Sequence, residues 1–429
     1  MISIGSSNNE SRVEPSNNPT PTLSSAEKVV ANGDVLTGIL IRLPVKSLLR
    51  FKFVSKNWNS LISSPHVARL WNPDPCSVSG LFLHPTKHGT CLFRWSERTK
   101  HLNLGLEFIP LKNGKAPAHE PDDHDAYIKS LTRFPNLSDV IVLNSCHGLL
   151  FCLGYNEVEG KGGHHILNPT TKQFKTLPQP HQDGLEDLCL AYDPSESPHY
   201  KVVGLWRSVS ISQWETYYHI DIYSSETGSW RPSGNSYTVD EVDFPETSFH
   251  GGVYWNGAVN WLNLGPGDSL YFHIDQEQLG TIPMPPAPHG KWWYDRAYLY
   301  YGKSRGHLHL SEMYNQTTRL TVYEMERDYS GWFVKYNVDI AAVGIAFPEL
   351  VQIPNNWYIG CSVLDIVREE SDEESYMVIS VGGKFVEYGL VDGSFKTICD
   401  ASQHNDGDDP LLYYHWCNSH EYIESLSCI

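Results

Sequence analysis

The 429-residue chain contains no apolar run approaching the ~18 residues that a membrane-spanning helix needs, so no segment reads as transmembrane. Residues 1–32 lack the apolar stretch of a secretory leader, and the expected compartment is the cytoplasm or the nucleus. No Cys-x-x-Cys pair occurs among the nine cysteines, an odd number that fits free buried thiols better than a disulfide framework. With 32 Lys and Arg against 50 Asp and Glu, the net charge of −18 leaves no surplus of cations for phosphate neutralisation. General nucleic-acid binding is therefore excluded. Charged residues reach only 19 % and no heptad pattern is sustained, which excludes a coiled coil. P-loop, GxSxG, HExxH, EF-hand and dinucleotide patterns are all missing, so no catalytic residue, cofactor or metal is assigned.

What the chain does have is aromatic and turn-forming residues: 13 Trp, 24 Tyr, 15 Phe, 33 Gly and 27 Pro. Hydrophobic residues at 40 % are enough for a large core, and the length allows a small domain joined to one large repeat array. The first thirty residues include seven Ser, four Asn, three Pro and two Thr. Such a stretch buries too little apolar surface to offset its ordering entropy, so residues 1–32 read as a disordered tail.

A short helical module follows. Asp34 is a candidate cap for a helix carrying Val35, Leu36, Ile39, Leu40 and Leu43 at helical spacing. Pro44 ends that helix and can open a second one holding Val45, Leu48, Leu49 and Phe51. A third runs from about Ser55 through Trp58, Leu61 and Ile62 and stops near Ser63-Ser64-Pro65. So small a module has little core of its own and completes it against a partner or a neighbouring domain.

The run Leu43-Pro-Val-Lys-Ser-Leu-Leu-Arg-Phe51, followed by Val54-Ser-Lys-Asn-Trp58-Asn-Ser-Leu-Ile62, resembles the F-box of plant F-box proteins. The resemblance implies binding to a Skp1-like adaptor and, through it, to a cullin. It places Val35, Leu36, Ile39, Leu40, Leu43, Pro44, Val45, Leu48 and Leu49 in or beneath the Skp1-facing surface, with Val54, Trp58 and Leu61 closing the F-box core. Three positions depart from the family pattern. Ala31-Asn32 stands where Leu-Pro is usual, and Gly38 replaces a common acidic residue at a cost of roughly 1 kcal/mol in helix propensity. Weaker adaptor binding than is typical of the family follows from both.

Beyond Pro75 the texture changes to short segments rich in Val, Ile, Tyr, Phe and Trp, punctuated by turn signals. His165–Pro178 reads as strand, Asn168-Pro169 turn, strand, and Leu190–Val203 and Ile220–Trp230 have the same shape. His250–Trp261 reads as a hairpin whose Asn256-Gly257 suits a type I′ turn, and Phe385–Phe395 repeats the theme. Like elements recur at an irregular spacing that brackets the roughly 50-residue kelch period. The expected fold is mainly β with a small α module: a three-helix F-box and then a kelch-like β-propeller of about six blades. Asn144-Ser-Cys-His-Gly-Leu-Leu-Phe151, the Asn168–Pro178 run and Gly251-Gly-Val-Tyr-Trp-Asn-Gly-Ala-Val-Asn-Trp261 resemble the plant F-box-associated domain, which recruits the target of the ligase. The domain reading is a tail at 1–32, an F-box at 33–72, an F-box-associated propeller at 75–420 and a C-terminal tail at 421–429.

Other signals are weaker. His164-His165 and His307-Leu-His309 invite a zinc reading, but no carboxylate or Cys stands nearby at ligand spacing. The acidic runs Arg368–Glu374 and Asn405–Asp409 read as solvated loops. Trp292, Trp293 and Tyr294 are candidates for contact with a target protein, because such aromatics are enriched at interface hot spots; burial within a blade is the competing reading.

The expected function is the substrate-recognition subunit of a Skp1–cullin–F-box ubiquitin ligase, non-catalytic, with an unknown target protein and neither nucleic acid nor membrane as a partner. The aromatic-rich body leaves a second reading open, a kelch-propeller enzyme or glycan-binding protein acting on a sugar or small molecule. Charge is unevenly divided. Residues 34–71 carry six Lys and Arg against Asp34 alone, for a net +5, and the bulk acidity belongs to the β body. That polarity favours docking of the module on an acidic adaptor.

Overall fold

A computed structural model describes residues 29, 32–71, 77–86, 105–111, 131–181, 183–210, 215–240, 249–290, 295–314, 317–347, 361–400, 413–427 and 429. The chain separates into two units, residues 1–62 and 63–429.

The first unit is helical: α1 (Gly33–Leu40), α2 (Val45–Phe51) and α3 (Lys56–Ile62). The expected cap at Asp34 is corrected to Asn32. Asn32 has the extended backbone a cap requires, and its side-chain oxygen accepts from the amides of Asp34 (3.1 Å) and Val35 (3.3 Å), whereas Asp34 is already helical. Pro44 stands at the cap of α2, one position before its first turn. Ser55 caps α3, its hydroxyl accepting from the Trp58 amide at 3.2 Å. Leu36, Leu40, Val45, Leu48 and Ile62 are buried, and the Phe51 and Trp58 rings meet edge to face at 5.3 Å.

The second unit opens with a helix that the sequence reading ended too early to include. In α4 (Pro65–Leu70), Ser64 accepts from the Val67 amide at 3.3 Å and Pro65 occupies the first turn, where its missing N–H costs nothing. The Arg69 guanidinium donates to the Ser195 carbonyl at 3.0 Å, tying α4 to the β body.

That body is a six-bladed β-propeller. The first strands in the chain, β1 (Gly80–Leu83) and β2 (Glu107–Pro110), belong to a composite blade completed from the C-terminal side. Five four-stranded antiparallel meanders follow. They are β3 (Leu137–Cys146), β4 (Leu149–Asn156), β5 (Lys161–Asn168) and β6 (Gln173–Thr176); then β7 (Leu185–Ala191), β8 (Lys201–Ser210), β9 (Glu215–Ser224) and β10 (Ser229–Asp240). The third holds β11 (Phe249–Trp255), β12 (Ala258–Asn263), β13 (Ser269–His273) and β14 (Gln278–Ile282). The fourth holds β15 (Arg296–Ser304), β16 (His307–Tyr314), β17 (Arg319–Met325) and β18 (Trp332–Asp339), after which comes α5 (Ala341–Ala346). The fifth holds β19 (Cys361–Val367), β20 (Tyr376–Val381), β21 (Lys384–Gly389) and β22 (Phe395–Asp400). Finally β23 (Ser419–Tyr422) pairs antiparallel with β1, setting Gly80 opposite Tyr422 and Leu83 opposite Ser419. The expected C-terminal tail at 421–429 is thereby corrected: Glu421 and Tyr422 close the ring as a strand, and Ile423 and Leu426 are buried. Each blade keeps its own edge strands, and the radial arrangement leaves these edges short.

The core lies between blades. Phe151 and Ile166 of one blade pack with Leu188, Val202 and Trp206 of the next, and Phe82 and Tyr422 pack with Leu150 and Leu167. Strands covered on both sides, such as β12 and β20, are buried along their whole length. Tryptophans also clamp blades together: the Trp206 and Trp230 indoles donate to the carbonyls of His181 and Pro178, both at 2.9 Å. At the Asn256-Gly257 turn both residues have positive φ (55° and 72°), the type I′ geometry read from the sequence.

Candidate functional sites

The two units present different surfaces. In the helical unit the expected adaptor residues separate by face. Leu36, Leu40, Val45 and Leu48 form the interior, while Val35 and Ile39 on α1 are each 45 % exposed and Pro44 is also exposed. Leu43 and Leu49 are half-buried. Of the expected core trio, Trp58 and Leu61 are partly buried, but Val54 is 60 % exposed and is not core. It follows Phe53, itself 91 % exposed, in the turn between α2 and α3, where neither side chain can reach the interior. The helical unit thus shows four exposed large apolar residues, Val35, Ile39, Phe53 and Val54. Such exposure is unusual for a surface with nothing to bind.

Trp292, Trp293 and Tyr294, the expected target contacts, lie outside the described residues, as does the acidic run at 405–409. The described acidic segment is not simply a solvated loop. Asp372 accepts from Lys335 Nζ and the Tyr336 hydroxyl, both at 2.8 Å, and pairs with Arg368 at 3.1 Å. Arg368 also pairs with Glu324 at 2.6 Å, fastening the fourth meander to the fifth. His307 joins the same carboxylate, Nδ1 to Oε1, at 2.6 Å. The linear sequence hides Glu324 because only the β16–β17 register brings it beside these histidines. Among the described residues, no group of three or more His, Cys, Asp or Glu could hold a metal ion. His164 stacks on Phe151 with ring centroids 5.5 Å apart, and burial lowers it to about 4. Among the described cysteines, 146, 152, 189, 361 and 399 are free, as expected. Cys417 departs from that expectation: it is disulfide-bonded.

The six innermost strands, β3, β7, β11, β15, β19 and β23, surround a central channel. Its inner part, about 100 Å³, is lined among others by Asp187, Tyr300, Tyr301, Asp365 and Glu421. Asp187 accepts from the Gly252 amide at 2.7 Å. Asp365 Oδ1 accepts from the Tyr300 hydroxyl and the Ile366 amide, both at 2.9 Å, while its buried Oδ2 has no hydrogen-bond partner among the described residues. Burial outweighs those two bonds and raises Asp365 to about 6. Glu421 is raised to about 8, by burial first and by the Asp365 carboxylate second, against an opposing pull from Lys303. Toward one end the channel widens to about 290 Å³ at the turns that follow the inner strands. There the Lys303 ammonium donates to His147 Nε2 at 3.2 Å. Burial and the neighbouring Lys303 charge lower His147 to about 3, so it accepts as a neutral ring. Sequence reasoning touched these groups only through the Asn144–Phe151 run, whose turn carries His147, and the Gly251–Trp261 run, which carries Gly252; carboxylates and a lysine on separate blades have no spacing signature.

Comparison with known proteins fits both units. The model of the F-box domain matches residues 34–70, and that of the F-box associated beta propeller domain matches residues 114–335. F-box protein At5g07610 of Arabidopsis thaliana is 33 % identical over 428 residues, covering 94 % of each chain. F-box protein At5g49610 of the same plant is 23 % identical, covering 75 % of this chain and 82 % of the relative. F-box/kelch-repeat protein At3g23880 is 27 % identical, covering 59 % and 65 %.

Proposed function

The chain belongs to the F-box proteins that carry an F-box-associated β-propeller, and from that membership we propose that it is the substrate-recognition subunit of a Skp1–cullin–F-box ubiquitin ligase. The helical unit binds a Skp1-like adaptor, and the propeller holds a target protein for ubiquitination. The observation that carries the reading is the apolar surface of α1, with Val35 and Ile39 exposed directly beside the buried Leu36 and Leu40. An amphipathic helix with a second apolar face fits the groove of a partner. The net +5 of residues 34–71 supports approach to an acidic adaptor and acts on rate more than on affinity.

In this role the protein performs no chemistry. It raises the effective concentration of target lysines near the ubiquitin-charged enzyme, as tethering does generally. It works in the cytoplasm or nucleus, where such ligases meet their targets. The test is capture of a purified Skp1-type adaptor by the full chain and by a double variant, Val35→Asp with Ile39→Asp. Both positions are exposed, so the fold survives and capture is lost. Undiminished capture by the double variant sinks the reading.

A further inference from the structure

At the wide end of the channel the charge runs against that of the molecule. Lys303, Arg305 and Arg327 line the same cavity of about 290 Å³ in a chain of net charge −18. Among the described residues, neither Lys303 nor Arg327 forms an ion pair, and Arg305 pairs with the exposed Glu370 at 3.4 Å.

The cations are held in place. Lys303 is anchored by His147 and stands 5.9 Å from the centre of the Tyr254 ring. Arg327 lies in the β17–β18 turn, whose backbone is tied to the β11–β12 turn by Asn256, its amide donating to the Arg327 carbonyl at 2.8 Å. One Arg327 nitrogen lies 3.9 Å from where a side chain on Gly306 would begin, which sets the guanidinium over the β15–β16 turn.

The two carboxyls in the cavity offset only part of this charge. Asp193, whose ionised form is stabilised by the Ser195 hydroxyl at 2.6 Å and amide at 2.9 Å, faces Lys303 and balances one of the three cations. Glu421 sits deeper, beside Asp365, where burial favours its protonated form. Cations left unpaired in a concave, partly desolvated site attract an anion more strongly than the same charges on an open surface.

We propose that this mouth binds an oxyanion carried by a side chain of the target protein, with Lys303 and Arg327 as its cationic ligands. The volume suits one side-chain group and not a folded segment. The shared chemistry is that of a carboxylate or a phosphomonoester, and a guanidinium recognises either through paired N–H donors. The assignment to a target rests on the receptor reading given above.

The experiment is titration calorimetry of the full chain with inorganic phosphate and, separately, with acetate, at constant ionic strength. Saturable binding is expected, weakened at least tenfold by Lys303→Gln and by Arg327→Gln, retained by Lys303→Arg, and unchanged by Lys161→Gln on the exposed edge of β5. Thermal melts of each variant exclude unfolding as the cause. Tighter phosphate binding identifies a phosphorylated side chain, and tighter acetate binding an acidic one. Absence of saturable binding, or equal binding by wild type and both Gln variants, overturns the site. Adaptor capture measured on the same preparations separates the two proposals: capture without anion binding sinks the site and leaves the receptor, and anion binding without capture keeps the site and removes its assignment to a ligase target.

Discussion

The side-chain amide of Asn168, at the end of β5, donates to the carbonyl of Ser427 at 2.9 Å, joining an early blade to the last residues of the chain. The same amide donates to the Ser425 carbonyl at 3.1 Å, and its oxygen accepts from the amides of Thr170 (2.9 Å) and Thr171 (3.1 Å). One residue therefore shapes the Asn-Pro turn and pins the C-terminal segment that follows β23. Asn168→Ala leaves buried carbonyls unpaired, at about 1–3 kcal/mol for each such group. A drop in melting temperature of several degrees is expected in the full chain. A melt unchanged within a degree contradicts this role.

Asn32 supports the helical unit in a comparable way. It is one of the three positions that depart from the family pattern, yet it supplies the cap of α1 through the amides of Asp34 and Val35. Asn32→Ala removes that cap at about 0.5–2 kcal/mol, and Asn32→Asp retains it. The alanine variant is expected to lose helical signal in a thermal melt before the propeller does, and to capture the adaptor more weakly. Equal behaviour of the Ala and Asp variants removes the capping argument.

These two asparagines mark how far the sequence could be read. Local features were legible because their causes are local: the type I′ turn at Asn256-Gly257 needs only two residues, and the stripe Leu36, Leu40, Val45, Leu48 follows from helical spacing. The strand-and-turn texture, its kelch-like spacing and the length of the body supplied the propeller and its number of blades. Long-range partnerships were not legible. Asn168 and Ser427 are 259 residues apart, and Lys303 and His147 are 156 apart; nothing at either end announces the other. The C-terminal strand was missed for the same reason, since Ser419–Tyr422 becomes a strand only by pairing with β1. Val54 was misplaced because an apolar residue in a turn carries no periodicity to reveal which way it faces.

The channel carboxyls give stability a pH dependence of definite sign. Glu421, near 4.5 when unfolded and about 8 when folded, holds its proton in the native state. Its contribution is complete below pH 4.5 and is lost as pH rises through about 8; Asp365 acts the same way between 3.8 and about 6. His147, lowered from 6.5 to about 3, acts oppositely, and its contribution is lost as pH falls below 6.5. Lys303 and Asp193 complete the charged surroundings. Glu421→Gln is neutral at every pH, so it is expected to melt above wild type at pH 9 and within a degree or two of it at pH 5. A gain of the same size at both pH values is the outcome that contradicts a buried, proton-holding Glu421.

Gly252 shows how closely the inner strands approach one another. A methyl group there would begin 2.8 Å from Cys189 Cβ and 2.9 Å from both Asp187 Oδ2 and Trp261 Nε1. The first of these neighbours is fixed to the backbone of β7, and the second accepts from the Gly252 amide itself at 2.7 Å. Neither can retreat without separating two blades at the channel wall. Overpacking of this kind costs typically about 1–3 kcal/mol, so Gly252→Ala should lower the melting temperature by several degrees. Gly228, with φ of 71° and open space around it, is the informative contrast, because alanine there meets only backbone strain, on the order of 1 kcal/mol. Gly252→Ala is expected to cost more than Gly228→Ala and to disturb the environment of Trp261, read by near-ultraviolet dichroism. If Gly228→Ala proves the costlier of the two, close packing of β11 on β7 is not what selects glycine at position 252.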